Sequence, residues 1–412
     1  LTIELSPVGV ACQLACPYCY EHPQRDAGNY SAGYDLDAMK RGLVREGGSF
    51  SLFGGEPLLM HLPDLVEMLR WGYERFGSTS IQTNGALITP THVALFAQYH
   101  TSVGLSLDGP EELNDARWAG NLEKTRAATI ASFRAIDLLL DAGQPPSLIV
   151  TLHRGNAAAA RLPRLLAWFR SLDARGITHV RLHALEIDHA EVRDQLALTE
   201  DENVAAFLAC LDLQRQLRQL RFDVFTDMTQ LLLSGDQGSC VWNACDPLTT
   251  PAVRNVNGLG GRSNCGRTNK DGVEWVKADG HGVERYRALY TTPQVDGGCQ
   301  GCRFFYACKG QCPGTAIDGD WRNRTEQCGL WMRLFERLED DLVTSGQTPL
   351  TRVPARRLAL EERVLSDSRP PDQQHGDHWD APDGYAHHDG AFIVHGDHGW
   401  TEVHGDHTDA GA

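Results

Sequence analysis

Short apolar runs alternate with amphipathic stretches through the first half of the chain. The runs at residues 2–5, 50–53, 80–83, 103–107, 148–152 and 179–183 have the length of strands. Between them, residues 35–45, 62–76, 90–99, 125–142 and 161–174 repeat their apolar positions at helical spacing. Such alternation predicts an α/β fold on a parallel sheet. Six units close most of a barrel; an eight-stranded barrel needs two more, and the pattern supplies none.

The pattern changes after residue 195. A helical stretch runs from Thr199 to about Arg221, opened by Thr199 and Glu202 at capping-box spacing. Residues 239–345 are rich in Gly and Cys and poor in periodic apolar positions, so metal or covalent staples have to hold them. A last helical pattern, 331–342, closes that region. Residues 346–373, with Pro349, Pro354, Pro370 and Pro371, read as a linker. The expected organisation is therefore a barrel over 1–195, a helical bridge over 196–238, a cysteine-rich domain over 239–345, the linker, and a low-complexity tail over 374–412.

Composition narrows the class. Of the 412 residues 42% are hydrophobic and 22% charged, as in soluble globular proteins. No apolar run has the length of a membrane span, and the start shows no secretory pattern, so neither a membrane nor export is expected. Opening at Leu1 rather than Met, the chain reads as trimmed. A net charge of −16 disfavours nucleic acid as a partner. Part of that charge is local, because eight Asp and Glu402 follow Pro370 with no Lys or Arg among them. Twelve cysteines without an export signal point to metal or redox use in a reducing cytoplasm.

Chemistry concentrates first at Cys12, Cys16 and Cys19, spaced C-x3-C-x2-C just after the first predicted strand. Three thiolates can hold three corners of a [4Fe-4S] cluster and leave the fourth iron open. Zinc or disulfides are the alternatives for three thiols so close. With Tyr18 before the last Cys, the motif resembles the signature of the radical S-adenosylmethionine enzymes, whose partial (β/α)6 barrel matches the count of six units. The resemblance implies that S-adenosylmethionine chelates the open iron and is cleaved reductively, and that the 5′-deoxyadenosyl radical released takes a hydrogen atom from a substrate. An external donor such as a flavodoxin or ferredoxin would supply the electron.

Further motifs follow successive predicted strands, where a parallel barrel builds its active site. Gly54-Gly55-Glu56-Pro57 matches the family's GGEP motif, which implies contact with the cofactor's amino group. Thr83, Asn84, Ser106 and Asp108 resemble positions that meet its ribose and carboxylate. His153, Arg154, Asn156, His183 and Glu186 follow the fifth and sixth strands and are candidates for lining the pocket.

The second cysteine region has the spacing Cys245-x14-Gly260-x4-Cys265, then Cys299-x2-Cys302-x5-Cys308-x3-Cys312 and Cys328, with Cys240 upstream. This closely resembles the SPASM extension of radical enzymes that modify peptides and proteins. Eight thiols suffice for two fully ligated [4Fe-4S] clusters. By the family's interleaved ligation, Cys240, Cys245, Cys265 and Cys312 would hold the first and Cys299, Cys302, Cys308 and Cys328 the second. Zinc in four-thiolate sites is the alternative. Cys210, inside the predicted bridging helix among apolar neighbours, is left over as a buried thiol. Sulfatase-maturing members carry a carboxylate directly after the third of these cysteines, as a base. Here Gly266 and Arg267 follow Cys265.

The tail repeats His-x-Asp, beginning at His375, His378, His387, His395, His404 and His407, and holds eight of the chain's 17 histidines. It reads as a solvated terminus, as a loose metal binder, or as a fused peptide substrate. An aromatic followed two residues later by Asp is similar to the pattern used by cyclophane-forming relatives, which implies a bond from the imidazole to the Asp β-carbon. A flexible linker would hold such a substrate at an effective concentration of about millimolar. The expected function is oxidative cross-linking of a ribosomally made peptide, plausibly residues His375 to Asp409 of the chain itself. The rivals are maturation of a separate protein or peptide, by epimerisation, thioether or formylglycine formation, and a zinc-stapled binding protein with a metal-handling tail.

Overall fold

The computed structural model describes residues 3–28, 33–233, 235, 238–249, 254–268, 272 and 282–366, together with the backbone of 391–396 and 399–404. Six parallel strands form where the apolar runs predict them: β1 Ile3–Ser6, β2 Phe50–Leu52, β3 Thr79–Thr83, β4 Thr101–Ser106, β5 Ser147–Leu152 and β6 His179–Ala184. Helices Leu36–Glu46, Leu62–Phe76, Pro90–Gln98, Leu122–Asp141 and Leu162–Ala174 connect them. Chain signals fix the ends. Pro63 opens the second helix, and Gly77, at φ +78°, lets its last turn close in the left-handed conformation that a side chain resists.

The sheet extends at both edges. Beyond β6 lies the short β7, Arg221–Phe222, parallel to it. On the other side β1 pairs in parallel with β8, Arg254–Asn257, which pairs antiparallel with β9, Arg262–Ser263. The order β7-β6-β5-β4-β3-β2-β1-β8-β9 leaves the sheet open, a partial barrel. The cysteine-rich region thus contributes two strands to the same sheet, which apolar periodicity gave no reason to expect.

The bridge is shorter than its pattern. A helix runs over Glu200–Gln214 with the Thr199–Glu202 capping box in place, the chain then forms β7, and a second helix, Asp223–Leu232, follows. Cys210 is wholly buried inside the first. The helix Cys328–Thr344 packs against both, with Trp331 edge-on to Phe207 and to Trp242. Within the span read as a linker, Pro354–Ser366 is a helix whose Leu360 packs with Tyr306 and Leu350. Pro354 stands at its first position, where proline starts a helix rather than breaking one. In the tail, β10 Ala391–Gly396 and β11 Gly399–His404 pair as an antiparallel hairpin. The repeats beginning at His375, His378, His387 and His407 lie outside the described residues.

One core binds the layers. Phe169 is fully buried and meets Trp168 and, edge-on, Phe222, joining helix Leu162–Ala174 to the strand that leads into the bridge. Phe169→Ala should lower stability by about 3–5 kcal/mol. Denaturant unfolding of the two proteins measures the difference.

Candidate active site

The cysteine loop leaves the end of β1 and lies across the loop after β2. Gly55 N donates to Gly9 O at 2.7 Å and Glu56 N to Ala11 O at 2.8 Å. A Cβ on Gly55 would stand 2.1 Å from Ala11 O, so only glycine allows this approach. Glu56 is wholly buried beneath the strap. Its carboxylate accepts from Leu58 N at 3.0 Å, Thr83 Oγ1 at 2.7 Å and Asn84 N at 2.9 Å. Burial pushes this carboxyl up, against the opposing pull of those three bonds. Asn84 in turn accepts from Gln13 Nε2 at 3.0 Å, within the cysteine loop. The ends of β1, β2 and β3 are thereby tied into one unit.

Asp108, after β4, is the second buried carboxylate. It accepts from Arg117 Nη2 at 3.0 Å, from Thr151 N at 2.9 Å and from Tyr18 Oη, while His153 Nε2 lies 3.6 Å away. Burial works against its charge, but Arg117, followed by His153 and Tyr18, outweighs burial and holds the carboxyl down at about 2. Asn156 Nδ2 donates to Asp108 O at 2.9 Å. His153 and Asn156 are thus buried behind the site, and Arg154 turns away to donate to Asp194 O.

These loops surround a cavity of ≈ 240 Å³. Of the residues singled out in the sequence, Cys12, Cys16, Tyr18, Cys19, Gly54, Gly55, Thr83, Asn84, Ser106, His183 and Glu186 border it. Glu56, Pro57 and Asp108 are not among the residues that line it. The first two hold the loops that do, and Asp108 anchors Tyr18 and Arg117.

Cys240, Cys265 and Cys312 open onto the same cavity. Asp227 holds the turn that carries Cys240, accepting from Ser239 Oγ at 2.7 Å and Trp242 Nε1 at 3.1 Å. The β1–β8 ladder carries Cys265. Gly260 helps, its backbone lying so close to Ala38 that a Cβ would stand 2.2 Å from Ala38 O. Cys245 is buried outside the cavity. Cys299, Cys302, Cys308 and Cys328 line a separate small pocket with Phe304, Phe305, Phe335 and Met332.

All twelve cysteines are free. Burial raises Cys16 to about 12, Cys19 to about 11 and Cys299 to about 12, so these thiols stay protonated until a metal displaces the protons. Among the described residues no three His, Cys, Asp or Glu converge as one ion requires. A cubane holds its four thiolates at separate corners. Thiols grouped around open space, rather than about a point, suit it better than a single zinc ion.

Several wall residues escaped the sequence reading. Glu4, Gln82 and Arg181 project from β1, β3 and β6 into the cavity. Polar side chains inside otherwise apolar parallel strands were the available signal, since such strands are covered on both faces. Gln82 Nε2 donates to Ser106 Oγ at 2.8 Å, and Arg181 pairs with Asp223. Arg267 pairs with Glu186 at 2.8 Å, donates to His183 Nδ1 at 2.9 Å and lies over the Tyr20 ring. Where a sulfatase-type base was to be sought after Cys265, the cavity holds a guanidinium.

Comparison with known proteins follows this geometry. Residues 6–158 match the family described as "Radical SAM superfamily". The "Serine-type anaerobic sulfatase-maturating enzyme" of Klebsiella aerogenes is 30% identical over 257 residues, 59% of this chain and 62% of the relative. The enzyme of the same description from Bacteroides thetaiotaomicron is 22% identical over 358 residues, 76% of this chain and 82% of its own. The chain therefore spans under two thirds of the Klebsiella relative. In fold it is similar to the structure "Native anSMEcpe with bound AdoMet and Kp18Cys peptide", with a TM-score of 0.65 at 18% identity, over 84% of this chain and 98% of that one.

The Asp108 cluster has a pH signature. Its carboxyl titrates below the ordinary 3.8, so its contribution is complete above about pH 4 and is lost as pH falls towards about 2. Asp108→Asn strands the largely buried Arg117 and should cost about 3–5 kcal/mol at neutral pH. Unfolding measured across pH should show the gap from the parent narrowing, by about 2 kcal/mol, between about pH 4 and about 2.

Proposed function

We propose that this chain, whose residues 6–158 are a radical SAM domain, is a SPASM-type peptide maturase that joins His to Asp within its own C-terminal repeats. Cys12, Cys16 and Cys19 would hold the cluster that binds S-adenosylmethionine. Cys240, Cys245, Cys265 and Cys312 would hold one auxiliary cluster, and Cys299, Cys302, Cys308 and Cys328 the other. The observation that carries the reading is the opening of two thiol sets, from separate regions of the sequence, onto one cavity. When bound, the first cluster and S-adenosylmethionine supply hydrogen-atom abstraction, driven by an external reductant of the flavodoxin or ferredoxin kind.

The chain's own residues do the rest. The glycine strap and the Glu56 network fix the cysteine loop against the ends of β2 and β3, so the cofactor's place beside Gly54, Gly55, Thr83, Asn84 and Ser106 is set before it arrives. Leu14, Trp242 and Trp331 give the cavity an apolar wall that keeps water from a reactive carbon. A cross-link removes two hydrogens from the peptide. One leaves as the atom abstracted from the Asp β-carbon. The imidazole carbon gives up the other as a proton, for which Glu186 and Asp223 on the wall are acceptors, and an auxiliary cluster held by Cys240, Cys245, Cys265 and Cys312 would supply the acceptor for the remaining electron.

The tail is favoured as substrate by its six His-x-Asp repeats, one of which begins at His395, near the end of strand β10. Maturation of a separate protein is favoured by the names of the relatives. The two readings part cleanly, because residues 374–412 contain neither Ser nor Cys and so cannot be converted to formylglycine. No helix among the described residues is long and apolar enough to cross a membrane.

Anaerobic incubation with S-adenosylmethionine and a reductant, followed by tandem mass spectrometry of the tail, tests the proposal. Each link should remove two hydrogens and join a His to the Asp two residues on, and Asp397→Ala should abolish the link at His395. An unaltered tail beside accumulating 5′-deoxyadenosine moves the substrate elsewhere.

A further inference from the structure

Arg285, in the helix Glu284–Thr291, is among the largest side chains wholly removed from solvent. Taking a guanidinium out of water costs several kcal/mol unless an opposite charge compensates. Among the described residues, the hydrogen bonds of Arg285 go to backbone carbonyls and to no carboxylate. Its Nε donates to Trp321 O at 2.5 Å, Nη1 to Gln311 O at 2.7 Å, and Nη2 to Gly310 O at 3.3 Å and Asn323 O at 3.0 Å. Gly310 and Gln311 lie between Cys308 and Cys312, which belong to different thiol sets, and residues 321–323 lead towards Cys328. The guanidinium therefore clamps the short loop separating the two candidate cluster sites.

The cysteines whose ionisation would favour its charge come from both sets. Burial pulls Arg285 down from its ordinary value, and the opposing influences are Cys312, Cys245, Cys299 and Cys308, in that order. Two of these belong to each set. With the thiols protonated, the cation would stand alone in a dry interior; with both sets deprotonated around iron, it has negative charge on either side.

Resting on the ligation set out above, we propose that Arg285 is the shared counter-cation of the two auxiliary clusters, a positioning residue whose charge raises both reduction potentials while its hydrogen bonds hold the Cys308–Cys312 loop between them. A cubane with four thiolates is already an anion and gains a further negative charge on reduction, so its potential follows net charge, hydrogen bonding and burial. A fixed cation in a medium of low dielectric favours the reduced form. That direction suits clusters that accept an electron from a substrate radical.

The test is an EPR-monitored redox titration of the reconstituted full chain, in a background with Cys12, Cys16 and Cys19 changed to Ala so that only auxiliary signals remain. With Arg285 intact, spin quantitation should report two clusters; failure to load them sinks the ligation, and the counter-cation with it. With both loaded, Arg285→Gln should move both midpoints to more negative potential by at least tenfold in the reduced-to-oxidised ratio, about 59 mV for one electron. Arg285→Lys, which keeps the charge with fewer hydrogen bonds, should stay near the parent value. Unchanged midpoints in a loaded Gln variant overturn the proposal. So does a Lys variant that falls as far as Gln. Should the Gln variant fail to load, the Lys variant against the parent decides: equal midpoints support the charge role, and a tenfold fall refutes it.

Discussion

The backbone ladder between β1 and β8 is the constraint on which the rest of the molecule turns. It pairs Ile3 with Arg254 and runs to Ser6 with Asn257, so the strand that launches the first cysteine loop is also the strand to which the second cysteine region is stitched. Nothing in the composition of β8 demands this, since Val256 is its only apolar residue. The free edge of β1 supplies the partners, as an open sheet must have its edge covered or paired. Had that edge remained free, Cys265 would have no fixed place relative to Cys12, Cys16 and Cys19, and no cavity would be shared.

From the ladder follows the division of labour among buried charges. Glu56 and Asp108 sit in motifs that sequence associates with the cofactor, yet both are sealed beneath the loops and spend their oxygens on neighbouring backbone and side chains. They make the site rigid before anything binds. The charges that do face the cavity, Glu186 with Arg267 and Asp223 with Arg181, come in opposed pairs. Such pairs lower the cost of holding charge in a poorly hydrated space, and they leave polar groups facing the cavity. The arginine after Cys265 separates this cavity chemically from one built around a base at that position.

Much of the fold was legible because its signals are local. The helix Leu62–Phe76 begins and ends where Pro63 and Gly77 place it, and the six strands lie within a residue or two of the apolar runs. β8 was hidden because its pairing is supplied by β1, a partner some 250 positions away, and the two-residue β9 because it pairs with β8, neither having a period of its own. The helix Pro354–Ser366 was hidden because proline and arginine read as linker composition, although Pro354 at the first turn is a starting signal. At the site, the grouping of cysteines is not legible in spacing alone, since Cys308 lines the small pocket and Cys312 the larger cavity while Cys245 borders neither, and several side chains on the walls belong to no motif. Glu4, Gln82 and Arg181 were visible only as polar interruptions of apolar strands, and Arg285 gave no sign at all, because its importance lies in what surrounds it.

The central claim is that three thiol groupings each enclose an iron–sulfur cubane. Anaerobic reconstitution followed by iron, sulfide and zinc analysis tests it most directly. The account predicts about twelve irons and as many sulfides per chain, with four of each lost when Cys12, Cys16 and Cys19 are changed to Ala. Zinc in stoichiometric amount at those thiols, or an iron content that the triple change leaves unaltered, would contradict it.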